Sequence, residues 1–342
     1  MPTFNPDRYK VHNDWFRHCG RSGLKLPAIS LGCWHNFGDP GTDAAKHQTE
    51  EGIHDNARQM LVTAFDNGIT HFDLANNYGP KAGAAETRVG RILASDFQGH
   101  RDELVISTKA GYWMWDGPYG DFGSRKYLLS SLDQSLRRLQ LDYVDIFYHH
   151  RPDPNTPIEE TMSALDTAVR SGKALYAGLS NYHGKQLEDA LAACEKHGFY
   201  KPIINQPSYS MFNRWIESDL LDSISKTGTG VIAFCPLAQG LLTKKYLGGI
   251  PDDSRAKQEK GFLREDGVTP ELVAKAQKLD VVAGRRGQTL AQLALLWTIR
   301  DPRVTSALIG ASRPQQVLEN VKVLESGPLT DDELAEIEAI LA

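Results

Sequence analysis

Eight short apolar runs recur along the 342-residue chain, and each stops in polar residues. They lie near Ala28 to Leu31, His71 to Ala75, Leu104 to Ser107, Val144 to Tyr148, Ala174 to Leu179, Ile203 to Ile204, Val231 to Phe234 and Ser306 to Ile309. Helical patterns separate them, among them Asp55 to Asn67, Glu86 to Ala94, Lys126 to Leu139 and Pro270 to Arg300. Alternation of this kind predicts an α/β fold, a (β/α)8 TIM barrel whose chemistry sits at the carboxyl ends of its strands. The rival is a doubly wound open sheet. No GxGxxG follows the first strand, which weighs against the dinucleotide-binding form of that sheet.

Smaller signals fill in the frame. WFRHCGRSGLKLP reads as a hairpin turning between Gly20 and Gly23, ahead of the barrel. Asp39 to Gly52 and Gln239 to Thr269 read as loops, and Tyr112 to Gly123 as an aromatic, glycine-rich loop walling a pocket. Thr156, Pro157 and Glu159 form a helix start with cap, proline and acid. Thr330 with Glu333 starts an extra C-terminal helix. The expected organisation is a polar leader over 1–14 and one barrel domain over 15–342.

Composition narrows the function classes. With 41% apolar and 24% charged residues the chain can bury a full core. A net charge of −5 without a basic block argues against nucleic acid and anionic membrane as partners. Cys19, Cys33, Cys194 and Cys235 stand far apart, which suggests neither a disulfide framework nor a metal site. No apolar run approaches the roughly 18 residues of a membrane span. The start, MPTFNPDRYK, has no signal-peptide hydrophobic region, so a cytoplasmic location is expected.

The chemistry centres on GITHFDLANNYG, residues 68–79, where a strand carrying Asp73 runs into a loop holding Tyr78. Adjacent strands lie about 4.8 Å apart, so Asp73, Tyr78, Lys109 and His150 can converge. A free tyrosine has a pKa of about 10, and a close lysine cation would lower it. Asp73 would keep Lys109 charged and in place. The group could then donate a proton to a carbonyl oxygen as it becomes an alkoxide, with His150 hydrogen-bonding that oxygen. Taken singly, Asp73 also reads as a structural cap and Tyr78 as a packing residue. Of His149 and His150 only one can point inward, because side chains alternate along a strand. Cys33 and Cys235 read as small core residues.

Several of these segments resemble, in order, the motifs of the aldo-keto reductase superfamily, across about Phe16 to Leu324. GITHFDLANNYG is similar to its aspartate and tyrosine strand, ISTKAG to its lysine strand and YVDIFYHHRPD to its histidine strand, which places the histidine at His150. The resemblance implies that Ser180, Asn181 and Gln206 hold a nicotinamide amide. FCPLAQGLLTKKY, with DSR downstream, is similar to the branch containing potassium-channel β-subunits and bacterial glyceraldehyde-3-phosphate or methylglyoxal reductases. It implies Pro236, Leu237, Gly240 and Lys245 near a pyrophosphate and Arg255 over the adenosine. GASRPQQVLEN implies an adenosine-phosphate site from Gly310, Ser312, Arg313, Gln316, Glu319 and Asn320. Trp34 and Phe234 join the cofactor set, and Trp34, Trp113 and Tyr209 are candidate pocket walls. On the residues alone, Ser312 reads equally as a helix cap with Gln315 as its partner.

The resulting expectation is an NADPH-dependent reductase of small carbonyl substrates, a homo-oligomer (tetramer or octamer) by resemblance, using NADPH/NADP+. Arg151 stands where many members have tryptophan, and is a candidate cation for a phosphate-bearing substrate. Two rivals remain: a redox-sensing, nucleotide-holding subunit with slow turnover, and a Schiff-base lyase using Lys109.

Overall fold

The computed structural model describes residues 2–38, 49–79, 81–252, 254–257 and 263–342, the side chain of Arg255 excepted. A two-stranded antiparallel hairpin, β1 (Phe16–His18) and β2 (Lys25–Pro27), comes first. Eight strands then close a parallel barrel: β3 (Ile29–Gly32), β4 (His71–Asp73), β5 (Val105–Ala110), β6 (Val144–His149), β7 (Ala174–Ser180), β8 (Ile204–Gln206), β9 (Gly230–Phe234) and β10 (Val304–Ile309). The order is β10-β3-β4-β5-β6-β7-β8-β9, with β10 returning to β3, so the open-sheet alternative is excluded.

The helices are α1 (Glu50–Asp66), α2 (Ala84–Asp96), α3 (Arg125–Leu139), α4 (Ile158–Arg170), α5 (Gly184–His197), α6 (Trp215–Ser218), α7 (Leu220–Thr227), α8 (Pro270–Arg285), α9 (Leu290–Thr298), α10 (Pro314–Val321) and α11 (Asp331–Leu341). Each α face buries apolar residues such as Leu61, Val89, Leu132, Leu165, Leu187 and Leu293 against the outer barrel wall. No helix among the described residues is long and apolar enough to cross a membrane.

The barrel interior divides into two arcs. Ser306, Ser30, His71, Asp73, Ser107 and Lys109, on β10, β3, β4 and β5, are all buried and polar. Ile146, Tyr148, Ile204 and Ile232, on β6, β8 and β9, form an apolar cluster with Leu26 and Cys19 of the hairpin. The hairpin therefore plugs the amino end with its own apolar side chains. Gly178 on β7 gives the Tyr148 ring its space, since a Cβ there would lie 2.5 Å from Tyr148 Cδ1.

Several boundaries differ from the sequence reading. Helix α1 begins at Glu50, five residues before the expected Asp55, because the Thr49 side chain accepts from Gly52 N–H and caps it. The rest of the expected Asp39 to Gly52 loop, residues 39–48, lies outside the described residues. Thr156 does not cap α4: Pro157 holds the N-cap position and the Thr156 hydroxyl donates to Asp153 at 2.6 Å. Within the long segment Gln239 to Thr269, short 3-10 turns carry Leu241, Tyr246, Ala256, Leu263 and Val268 into a small apolar cluster. In the leader, Phe4 is buried, its ring 4.8 Å from Phe65 and 5.1 Å from Phe97. The capping box of Thr330 and Glu333 opens α11 as expected.

Candidate active site

The strand registry places the candidate residues side by side. Gly32 of β3 pairs with Asp73 of β4, Asp73 with Ser107 of β5, and Lys109 with Tyr148 of β6. With a period of two, Asp73, Ser107 and Lys109 point inward together. The Lys109 ammonium is fully buried; it pairs with Asp73 Oδ2 and donates to Leu74 O at 2.6 Å. It also lies 5.1 Å from the Tyr78 ring centroid. The Tyr78 ring packs edge-on to His150 at 5.8 Å and lies 6.2 Å from Trp34. Asp73, Tyr78, Lys109 and His150 are thus one cluster.

Asp73 also ends a hydrogen-bond chain that was not foreseen. Ser107 Oγ donates to Asp73 Oδ1 at 2.6 Å, and Gln206 Nε2 reaches the same oxygen at 3.2 Å. A hydroxyl has one proton, so Ser107 must accept from His71 Nε2 at 2.9 Å. His71 Nδ1 then accepts from Ser30 at 2.9 Å, and Ser30 from Ser306 at 2.7 Å. Every donor of this chain, from Ser306 to Ser107, points toward one carboxylate. Neutral His71 is required, and burial pushes its pKa down to about 4.

The electrostatics correct one expectation. Burial pushes the Tyr78 phenol well above its ordinary range, and the Asp73 charge adds to that. Whatever lowering Lys109 exerts from 5.1 Å is outweighed by that burial. Lys109 is itself held below its ordinary value by burial, against the pull of Asp73. His150 is lowered well below its ordinary value, by burial first and the Lys109 charge second. At neutral pH the cluster therefore presents a protonated phenol, an ion pair and a neutral imidazole.

The two adjacent histidines are both buried but separate as alternation requires. His149 turns outward, its Nδ1 2.7 Å from the Tyr182 hydroxyl, while His150 turns to Tyr78. The residues expected to hold the nicotinamide amide also meet. Ser180 Oγ donates to Gln206 O at 2.8 Å, and Asn181 Nδ2 donates to Ser180 Oγ at 3.2 Å and to His150 O at 3.1 Å. Asn181 holds a φ of 61°, a left-handed conformation that aims its side chain across the rim.

Beyond β9, where Phe234 is half-buried, the backbone is strained. Cys235, Ala238, Gln239 and Gly240 have φ of 54°, 45°, 58° and 105°, around Pro236 and Leu237. Left-handed non-glycine residues mark functional backbone. Within it the N–H groups of Ala238 and Gly240 are taken by Cys235 O and Leu237 O at 2.9 Å, which leaves those of Leu237 and Gln239 for a polyphosphate ligand. Lys245 lies exposed in the same segment; the Arg255 side chain lies outside the described residues. At the carboxyl end of β10, Gly310, Ser312 and Arg313 are exposed at the entrance to α10. Arg313, not Ser312, is the N-cap, and Ser312 pairs with Gln316, not Gln315: its N–H and Oγ reach Gln316 Oε1 at 2.8 and 3.1 Å. Glu319 is exposed, and Asn320 is buried against the helix layer. Asn36 and Asn56 hold this turn by donating to Ala311 O at 2.7 Å and Ser312 O at 2.9 Å.

One expectation changes at the rim. Tyr209 is not a pocket wall; it is buried with its hydroxyl on Glu217 at 2.6 Å and its ring 5.3 Å from Trp297. Trp113 is 57% exposed, and Tyr112 beside it packs on His150, the rings 4.7 Å apart. Arg151 is paired with Asp121 at 2.8 Å.

The comparisons with known proteins bear on the whole chain. A model of the aldo/keto reductase family matches residues 28–342. The chain belongs to the aldo/keto reductase family. It is 53% identical to the L-glyceraldehyde 3-phosphate reductase of Escherichia coli (strain K12) over 344 residues, covering 99% of this chain and 95% of that protein. A probable voltage-gated potassium channel subunit beta of Oryza sativa subsp. japonica is 36% identical, covering 95% of this chain and 96% of that protein. Members of the family generally use NADP(H), and the chain is an oxidoreductase that reduces carbonyl groups.

Proposed function

We propose that this aldo/keto reductase reduces small aldehydes and ketones to alcohols with NADPH, Tyr78 acting as general acid. The observation that carries the reading is the single cluster of Tyr78, the Lys109–Asp73 ion pair and neutral His150 on adjacent strand ends. Ser180, Asn181, Gln206, the left-handed segment at 235–240 and the turn at 310–313 would hold NADPH, which would supply the hydride. Tyr78, protonated at neutral pH, hands its proton to the carbonyl oxygen as negative charge develops there, because an alkoxide is far more basic than a phenolate. Lys109 then stabilises the phenolate electrostatically, and Asp73 keeps Lys109 charged within a dry barrel. His150, held neutral, donates a hydrogen bond to the same oxygen and orients the carbonyl. Lys109 as an imine-forming nucleophile is disfavoured, since its ammonium is fully buried and held by Asp73 and Leu74 O.

Short hydroxyaldehydes and 2-oxoaldehydes are the substrate class, with L-glyceraldehyde 3-phosphate and methylglyoxal as the first compounds to test. Discrimination for the 2′-phosphate of NADPH falls to Ser312, Arg313 and Gln316, with Arg255 as a further cation. A cytoplasmic homo-oligomer is part of the same reading. A nucleotide-holding subunit with slow turnover is the second reading, favoured by the 36% identity to the rice channel subunit. NADPH and NADH consumption followed at 340 nm over an aldehyde panel tests both. Fast, NADPH-preferring oxidation is expected, with Arg313→Ala raising the NADPH KM about tenfold and sparing NADH. Tight NADPH binding without turnover would hand the lead to the second reading.

A further inference from the structure

The end of β6 and the residues after it read HHRPD, 149–153, and their side chains divide by parity. His150 faces Tyr78; His149, Arg151 and Asp153 face the other way, onto the end of the 112–123 loop. Asp153 Oδ2 accepts from Gly123 N–H at 3.0 Å, and Thr161 Oγ1 donates to Gly123 O at 3.0 Å. Gly123 is needed there, because a Cβ would lie 2.7 Å from His149 Nε2. Arg151 sits at the centre. Its Nε donates to Gly111 O at 2.7 Å and its terminal nitrogen to Asp121 Oδ1 at 2.8 Å. Its guanidinium carbon lies 4.4 Å from the Tyr112 ring centroid and 4.2 Å from that of Phe122. Phe122 is held at a φ of 66°, which a bulky residue adopts only under external constraint. Tyr112, one face of this stack, meets His150 edge-on at 4.7 Å and 88°.

We propose that Arg151 is a positioning residue that clamps residues 111–123 to β6, so that Tyr112 fixes the His150 ring, and that it does not recognise substrate charge. The inference rests on the reductase reading for its kinetic part. Two aromatic rings pack on the guanidinium, its Nε is taken by a backbone carbonyl, and its charge is offset by Asp121. A substrate phosphate would have to compete with that carboxylate. The clamp acts through the orientation of His150, and so on kcat for every substrate.

The test compares Arg151→Met, Asp121→Ala, Arg151→Lys and the Arg151→Met/Asp121→Ala double variant. The kcat and KM are measured for one neutral and one phosphorylated aldehyde, together with NADPH affinity by fluorescence and amide hydrogen exchange over 112–123. Each single variant is expected to lose about tenfold in kcat on both aldehydes alike, with NADPH affinity within about twofold. The double variant should be no worse than the weaker single, and 112–123 should exchange faster in all. Lysine should not rescue, because it cannot stack or reach both acceptors. A loss confined to the phosphorylated aldehyde, rescue by lysine, or unchanged exchange in the loop would overturn the proposal. Should the wild type reduce neither aldehyde, the reductase reading fails, while the exchange result still decides the clamp.

Discussion

The polar and apolar arcs of the barrel interior share one backbone geometry and achieve order by different means. On β6, β8 and β9 the interior is set by shape: Ile146, Tyr148, Ile204 and Ile232 interdigitate, and Gly178 on the intervening β7 makes room for a ring. On β10, β3, β4 and β5 it is set by donors and acceptors, running from Ser306 through Ser30, His71 and Ser107 to Asp73 and Lys109. An apolar core tolerates exchange of one aliphatic group for another. A directed chain of buried hydrogen bonds does not, since each lost partner leaves an unsatisfied group in a dry interior. The polar arc carries that risk because it holds a carboxylate, and through it a cation, under Tyr78.

Substitutions in the two arcs should separate these modes. The largest effect is expected from Lys109→Met, which leaves Asp73 buried and unpaired. Breaking such a pair costs about 3–5 kcal/mol. Urea unfolding should show a loss of that order, together with loss of turnover. Next comes Gly178→Ala in the apolar arc, whose Cβ would press 2.5 Å from Tyr148 Cδ1. Overpacking of this kind costs about 1–3 kcal/mol, and the loss should be the same at pH 5 and pH 7.

The remaining effect is confined to acid pH and carries the sharpest signature. His71 is held down to about 4 by burial, whereas an unfolded imidazole titrates near 6.5. Between those values the unfolded chain binds the extra proton, so the His71 contribution is full above about pH 6.5 and is lost as the pH falls toward about 4. His149, also lowered to about 4, acts in the same sense. His71→Gln should flatten the fall of stability over pH 4.5–6 by about 1.4 kcal/mol per pH unit. An unchanged slope would mean that His71 does not titrate differently on folding.

Much of this was legible in the sequence, and the failures have physical causes. Strand ends were readable because apolar runs stop at inward polar residues, which is why Asp73 and Lys109 could be brought together with the histidine pair from spacing; the family resemblance picked His150. The parity of His149 and His150 followed from alternation. The start of α1 was missed because Thr49 caps a helix whose first turn, Glu50 to Gly52, is polar and looks like loop. Ser312 was misplaced because its partner, Gln316, lies four residues on, and a capping pattern looks three ahead. Trp113 was named for its place in the aromatic loop, and that location does not tell that Tyr112 is the ring held by Arg151. The polar arc needed the barrel to close: Ser306 and Ser30 are 276 residues apart and meet only across the seam of β10 and β3. A signal was present even so, since His71 stands two residues before Asp73 and must share its face.

The central claim is that the polar arc serves a protonated Tyr78 that acts on the chemical step and not on binding. The most direct test is a single-turnover measurement of NADPH oxidation by Tyr78→Phe, with NADPH affinity taken from fluorescence on the same sample. A rate lowered by about a hundredfold or more, with affinity within about twofold of wild type, is expected for removal of a general acid. A rate close to wild type, or an affinity that falls in step with the rate, would contradict it.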